Sequence, residues 1–437
     1  MRAATVLGIV LFIHSADMQA QSGPSQVAES AFDALSHRDW PSLAALIDPA
    51  ALDTLRQMSL GLVILFTEER KAGKEGGGYN PQDVRIPDHL PTLGAEHVSS
   101  FHGNPTIAQL ASLSSSEFFI RWCEAVYGSV LAGDSVYDRV NLQRHIVGEL
   151  LESDSLAHVL YRREARHVEV NELVIDLPGY LMVLPARKLQ GQWRLEFNSD
   201  LGWLVDFMQA FNARHTIPAH TLKHITRIEP EPAIPANVGV GHGKPGPTEI
   251  ARSAFDAFSR RDWPTLTALV DSGRLVAFQR AELAYLAVWV MSTKERAQAK
   301  TQGVTGFAFS YDDSLPPASA VAPVADVKAP VFPNDQTLGA LAQLSPTMFF
   351  EHWCEAVYDK GPNWRPGATK IKWQRAIIGA VFEGQAVAHV LYRYGLKDLE
   401  KGPVERMPLK RTPSGWRLLL NDDIGSSLDF SVLLNNP

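Results

Sequence analysis

Cysteine is nearly absent. The 437 residues hold two, Cys123 and Cys354, too few to staple a chain of this length through disulfides. Its folding must rest on apolar cores instead. Long basic runs are missing too. The formal net charge of -7 is spread along the chain and no Lys/Arg stripe forms, which argues against nucleic acid as the main partner. No HExxH zinc motif occurs, and residues 73–78 lack the Gly-Lys-Ser/Thr ending of a phosphate-binding loop. No metal and no cofactor is therefore expected. Beyond the first twenty residues no segment reads as long and apolar enough to span a bilayer.

What remains is ordinary globular material, 45% hydrophobic and 20% charged. Its length is too great for one core and comfortable for two. The start reads as an export signal. Arg2 supplies a short positive region, residues 3–13 are apolar apart from Thr5, and residues 16–20 turn small and polar. Cleavage after Ala20 is expected, giving a secreted or periplasmic protein.

The chain then contains itself twice. Ser30-Ala31-Phe32-Asp33-Ala34 returns as Ser253-Ala254-Phe255-Asp256-Ala257, and Arg38-Asp39-Trp40-Pro41 as Arg261-Asp262-Trp263-Pro264, a shift of 223 positions (253 against 30). Trp122-Cys123-Glu124-Ala125-Val126-Tyr127 returns as Trp353-Cys354-Glu355-Ala356-Val357-Tyr358, a shift of 231 (353 against 122). Ala157-His158-Val159-Leu160-Tyr161-Arg162 keeps that shift, returning as Ala388-His389-Val390-Leu391-Tyr392-Arg393. Trp193-Arg194-Leu195 returns as Trp416-Arg417-Leu418, back at 223. Matching order with changing offsets means one fold with different loop lengths. The expected division is a signal over 1–20, a first domain over 21–211, a linker over 212–247 and a second domain over 248–437. The linker is rich in Pro, Gly and His without sustained apolar period. Two long inserts, about 73–105 and 301–335, read as irregular.

Each copy opens with helices. Ala28, Ala31, Phe32 and Leu35 follow the i, i+3, i+4, i+7 pattern of one apolar face. The Asp-Trp-Pro signal starts a second helix, with Asp39 or Asp262 as cap. Leu52, Leu55, Leu62 and Phe66 mark a longer third. Ser114 and Glu117 form a capping box, and Ser345-Pro346 starts the equivalent helix. The rest reads as strands, with Gly148 and Gly379 marking bulges. A hairpin is expected over 172–189 around Pro178-Gly179. Helices followed by a bent antiparallel sheet give an α+β layer fold.

On these residues a resemblance can be named. Residues 28–48, with Phe32, Arg38-Asp39-Trp40 and Leu46-Ile47-Asp48, look like the opening helices of the nuclear-transport-factor-two-like superfamily. Gly191-Gln192-Trp193-Arg194-Leu195 and Gly415-Trp416-Arg417-Leu418 resemble its last strand. The resemblance implies two tandem cone-shaped domains, each a curled antiparallel sheet wrapped round N-terminal helices, with a conical pocket. Superfamily members include ketosteroid isomerases, polyketide cyclases, transport adaptors and non-enzymatic exported domains, so fold alone does not set function. Related domains often pair sheet to sheet. The resemblance therefore implies an intramolecular pseudo-dimer of the two copies.

The candidate ligand-binding residues are His158, Tyr161 and Arg162, with His389, Tyr392 and Arg393. Each histidine shares a strand face with the following Leu and Arg, and the tyrosine shares the other. Histidine titrates near neutrality, but the spacing fixes no carboxylate to orient it, so a hydrogen-bonded sheet histidine is the plainer reading. Arg144 and Glu124, with Arg375 and Glu355, would form a charge cluster with these arginines or grip an anion. The tyrosines would donate to an oxyanion or simply pack. Asp200 and Asp423 read as turn residues. Cys123 and Cys354 read as inert core thiols. His215, His220 and His224 are the only local metal-like cluster, and the Pro-rich stretch around them argues against it. The expectation is an exported, non-catalytic module binding a small or apolar ligand or an envelope protein. The alternative is an isomerase, cyclase or hydratase working by His/carboxylate acid–base catalysis.

Overall fold

The computed structural model describes residues 23–72, 83–127, 142–164, 166–170, 173–177, 181–198, 200–201, 222–227, 244–302, 319, 321–329, 332, 336–359, 374–395, 399, 402–420 and 424. The expected export signal, Asp423, His215 and His220 lie outside them. The chain divides into two compact units, Met1–Pro232 and Ala233–Pro437, each described by itself.

Unit 1 opens with α1 (Pro24–Ser36), α2 (Trp40–Leu46) and α3 (Pro49–Ala72). The caps follow the sequence. Asp39 accepts from the Ser42 N–H at 3.2 Å, and Pro41 sits where a helix needs no donor. Then come α4 (Ile86–Leu93), α5 (Ile107–Ser112) and α6 (Ser115–Tyr127). The Ser114–Glu117 box closes in both directions, with Glu117 Oε2 accepting from the Ser114 N–H at 2.9 Å.

The main sheet has the order β1-β2-β5-β6 and is antiparallel, from β1 (Arg144–Ser153), β2 (Leu156–Arg163), β5 (Leu181–Leu189) and β6 (Gln192–Leu195). Between β2 and β5 the chain makes β3 (Arg166–Val170) and β4 (Leu173–Leu177), which pair with each other. Among the described residues the two strands flanking Pro178-Gly179 do not pair with each other as the expected hairpin requires. β4 turns back on β3, while β5 returns to β2, placing Leu184 and Ala186 against the helices. A further strand, β7 (Leu222–Arg227), pairs with β3 and lies within the 212–247 stretch.

Unit 2 repeats the plan with α7 (Pro247–Arg260), α8 (Trp263–Leu269), α9 (Ser272–Gln302), α10 (Leu338–Ala342) and α11 (Pro346–Cys354). Its sheet has the order β11-β10-β9-β8, with β8 (Gln374–Glu383), β9 (Val387–Gly395), β10 (Val404–Thr412) and β11 (Gly415–Leu418). Both units are therefore α+β. The bulges fall at Gly148 and Gly379, as their glycines suggest. Each unit also ties the end of its second helix to the last strand of its four-stranded sheet by a parallel bridge, Ile47 to Leu195 and Val270 to Leu418.

Side-chain alternation sorts the central strands. Ala157, Val159 and Tyr161 of β2 join Ala28, Ala31, Phe32, Trp122 and Leu195 in one buried cluster. Ala388, Val390 and Tyr392 do the same in unit 2 with Phe255, Trp353 and Leu418. His158 and Leu160, like His389 and Leu391, alternate to the opposite face and are buried as well.

The inserts are less irregular than the sequence suggests. The first supplies α4 and buries Val84, Val98 and Phe101 in the core. The second buries Val321, Val324, Ala329 and Phe332. Each is closed by an antiparallel bridge, His97 to Thr106 and Lys328 to Thr337. The length expectation for α3 also changes. It is long and apolar enough to cross a membrane by composition, yet half of that window is buried inside the unit, as for a core helix.

Candidate functional site

The polar interior of unit 1 centres on Asp200. Arg144 donates to it through Nε at 2.8 Å and Nη2 at 3.3 Å, and Arg163 through Nη1 at 3.3 Å. Tyr161 donates its hydroxyl at 3.0 Å and receives the Asn198 amide at 3.0 Å. Arg144 and Asp200 are 1% and 0% exposed, and the guanidinium lies 5.7 Å from the Phe32 ring centroid. Burial pushes the Asp200 carboxyl up. The charges of Arg144 and Arg163 and the hydrogen bonds from Arg144 and Tyr161 outweigh it, so it stays below the usual value. Burial, followed by the Asp200 charge, holds the Tyr161 phenol well above its ordinary range.

This corrects two expectations. Asp200 is not the turn residue. Asn198 takes that role, its Oδ1 accepting from the N–H groups of Asp200 and Leu201. Glu124 is not in the charge cluster either. It faces outward and pairs with Arg121 at 3.3 Å. Period-two alternation puts Arg163, not Arg162, on the face of Tyr161. In unit 2 the position of Arg163 is held by Tyr394, and Arg375 lies 5.7 and 4.8 Å from the Phe255 and Phe258 ring centroids. Arg393 donates to the Gly402 carbonyl at 2.7 Å.

The histidines find the carboxylates that spacing did not reveal. His158 Nε2 lies 2.6 Å from Glu152 Oε2, and His389 Nε2 lies 2.9 Å from Glu383 Oε2. Each Glu lies within the last two residues of the strand that precedes the histidine's own strand, two positions beyond the residue facing it, so the pair is diagonal on one sheet face. The signal was present: Glu152 and Glu383 are related by the same shift of 231 as the histidines.

Sequence reading also missed Glu282. It is 2% exposed on α9 and accepts from the Trp353 indole N–H at 3.3 Å. Burial pushes its carboxyl up to about 7, and that hydrogen bond offsets only part of the rise. Ser59 holds the equivalent place in unit 1 and is also buried. Cys123 and Cys354 are buried free thiols, and burial pushes Cys123 well up, which suits inert thiols. Among the described residues no group of three His, Cys, Asp or Glu side chains is placed to hold a metal. His224 lies on β7, opposite Glu169 in register.

An open cleft of about 880 Å³ lies elsewhere in unit 1, between the first turns of α3 and the ends of β5 and β6. Leu55, Met58, Leu189 and Phe197 give it an apolar wall. Its charged end is Asp48, Arg187 and Glu196. Arg187 donates to Glu196 Oε1 through Nε at 3.0 Å, its Nη2 lies 2.9 Å from the same oxygen in an ion pair, and its Nε lies 3.9 Å from Asp48 Oδ2. Asp48 caps α3, with Oδ1 accepting from the Ala50 N–H at 2.7 Å. The α2–β6 bridge fixes it there, its own N–H donating to the Leu195 carbonyl at 2.8 Å.

No family model, curated protein or solved structure matches this chain.

Function therefore has to be read from geometry. None of His158, Tyr161, Arg162, His389, Tyr392 or Arg393 lines the cleft. Asn198 does, and it also donates to Tyr161, so the cleft floor and the buried network share one residue. The cleft's size suits a small organic molecule, for which apolar walls and a few placed polar groups are usual.

Proposed function

We propose that this is an exported, non-catalytic binding protein made of two duplicated cone-type units, with a small, largely apolar ligand held in the unit 1 cleft. One observation carries the reading. The polar groups around Asp200 are spent on one another: Asp200 accepts from Arg144, Arg163 and Tyr161. The cleft, by contrast, offers open volume with mixed walls. Export rests on the charged-then-apolar start of the chain.

The rival acid–base enzyme would use the His158–Glu152 or His389–Glu383 pair. Neither histidine lines the cleft, so the non-catalytic reading is preferred. The test is native mass spectrometry of the full chain purified from its own host. A retained small molecule is expected, lost in an Ala51→Trp variant that fills the cleft, and the mature chain should begin at Gln21. Protein that carries no small molecule and instead captures an envelope protein would overturn the ligand reading.

A further inference from the structure

We propose that the unit 1 cleft selects a small organic cation, an amine on an apolar body, and that unit 2 lacks this site; the inference rests on the cleft being the ligand site. Two carboxylates, Asp48 and Glu196, face one guanidinium, Arg187, at the charged end of the cleft. That leaves one net negative charge. Nε and Nη2 of Arg187 both approach Oε1 of Glu196, and Oε2 receives neither. Oδ2 of Asp48 is 3.9 Å from Arg187, beyond hydrogen-bond reach, although the Asp48 side chain is only 8% exposed. That oxygen is not sealed off, so it is open to a ligand in the cleft. An ammonium supplies donors to both oxygens and the missing charge.

The opposite charge is poorly served. Among the described residues Arg187 is the only Lys or Arg lining the cleft, and its Nε and Nη2 both lie against Glu196. The positive end of α3 is met by its own cap, since Ala50 donates to Asp48. The apolar wall suits the rest of such a ligand. Phe197 brings an aromatic ring to the lining, a group that attracts cations, and Met58 a polarizable thioether.

The duplication supplies an internal control. In unit 2 Asp271 keeps the cap, but Leu419 stands for Glu196, Lys410 for Arg187 and Arg274 for Ala51. One carboxylate then faces two cations, and the sign of the site is reversed. These replacements occur within the same fold, so a unit 1 carrying them has a precedent for folding.

The test uses three probes with one apolar body: 4-phenylbutylamine, 4-phenylbutanol and 4-phenylbutyrate. Calorimetry on the full chain should show one site per chain, with the ammonium bound about tenfold or more tighter than the alcohol and the carboxylate weakest. The double variant Ala51→Arg/Glu196→Leu should keep its thermal transition and lose the preference for the ammonium. Equal binding of the three probes, two equivalent sites per chain, or a preference that survives the double variant would overturn the proposal. If alcohol and ammonium bind alike and Ala51→Trp abolishes both, the cation assignment fails while the cleft remains the ligand site. If the ammonium fails to bind at millimolar concentration, the cation assignment also fails; a retained native ligand then keeps the parent reading, and its absence as well removes both.

Discussion

The Tyr161 hydroxyl and the Arg144 Nε converge on one oxygen of Asp200, at 3.0 and 2.8 Å. The three groups come from β2, β1 and the segment after β6, so the network ties both ends of the sheet to its middle. Asp200→Asn would leave the Arg144 guanidinium buried without its carboxylate. Breaking one side of such a pair costs about 3–5 kcal/mol. Tyr161→Phe removes two hydrogen bonds, the one donated to Asp200 and the one accepted from Asn198, and should cost about 1–3 kcal/mol. Urea unfolding of the full chain, following unit 1, measures both; equal small losses would show that the network contributes nothing as a network. The pH dependence has a definite sign. The folded carboxyl titrates below its ordinary 3.8. Its contribution is complete above that value and is lost as pH falls through the lower, folded one.

Glu282 predicts the opposite slope in unit 2. Its carboxyl is raised from 4.5 to about 7, so between those values the folded state holds more protons than the unfolded one. Stability therefore falls as pH rises through that window and levels off above it. The full effect is on the order of 3 kcal/mol. Glu282→Gln keeps an acceptor for the Trp353 indole and removes the titration. The variant should be the more stable protein at pH 8 and should lose most of the slope between pH 5 and 7. A slope unchanged by the substitution would mean that the carboxyl is hydrated in the folded state.

Local signals were legible because local physics writes them. The apolar face of Ala28, Ala31, Phe32 and Leu35, the Asp39 and Ser114 caps and the Gly148 bulge each involve residues within a few positions. Pairings over distance were not. Nothing in the period of residues 173–177 distinguishes a partner in β3 from one in β5, and the choice is made by which strand must cover the helices. The inserts hid their repeat because only its geometry survives: Phe101 and Phe332 are related by the shift of 231, as are the bridges that enclose them.

The site was harder still. Asp200 looked like a turn residue because Asn, Asp and Gly cluster at turns, and only the approach of Arg144 from 56 positions away shows otherwise. The cleft joins residues 48–58 to residues 187–198. No motif spans that distance, although the loss of Glu196 and gain of Arg274 between copies was a visible asymmetry.

Gly402 offers a test of the β9–β10 connection in unit 2. A Cβ there would run into the carbonyl oxygen of Tyr394 and lie 3.3 Å from the Leu399 oxygen. Both are backbone atoms and cannot turn aside. The same turn holds Arg393, which donates to the Gly402 carbonyl. Gly402→Ala should cost about 1–3 kcal/mol, the usual range for overpacking, read as a lowered unit 2 transition with unit 1 unchanged. A neutral result would mean that the turn opens freely.

The His389–Glu383 pair carries the last prediction. Nε2 lies 2.9 Å from the carboxylate, while Nδ1 is buried with no hydrogen-bond partner among the described residues. Only the Nε2–H tautomer gives the carboxylate a donor, and an Nδ1–H form would bury a donor with nothing to receive it. Nitrogen-15 spectra of the imidazole should therefore report the hydrogen on Nε2. Glu383→Ala would take away that acceptor at a cost of about 1–3 kcal/mol. Glu383→Gln keeps an acceptor oxygen and should recover most of the loss. An imidazole that carries its hydrogen on Nδ1, together with no loss in Glu383→Ala, would show that the pair does not hold the sheet and would return both histidines to the list of acid–base candidates.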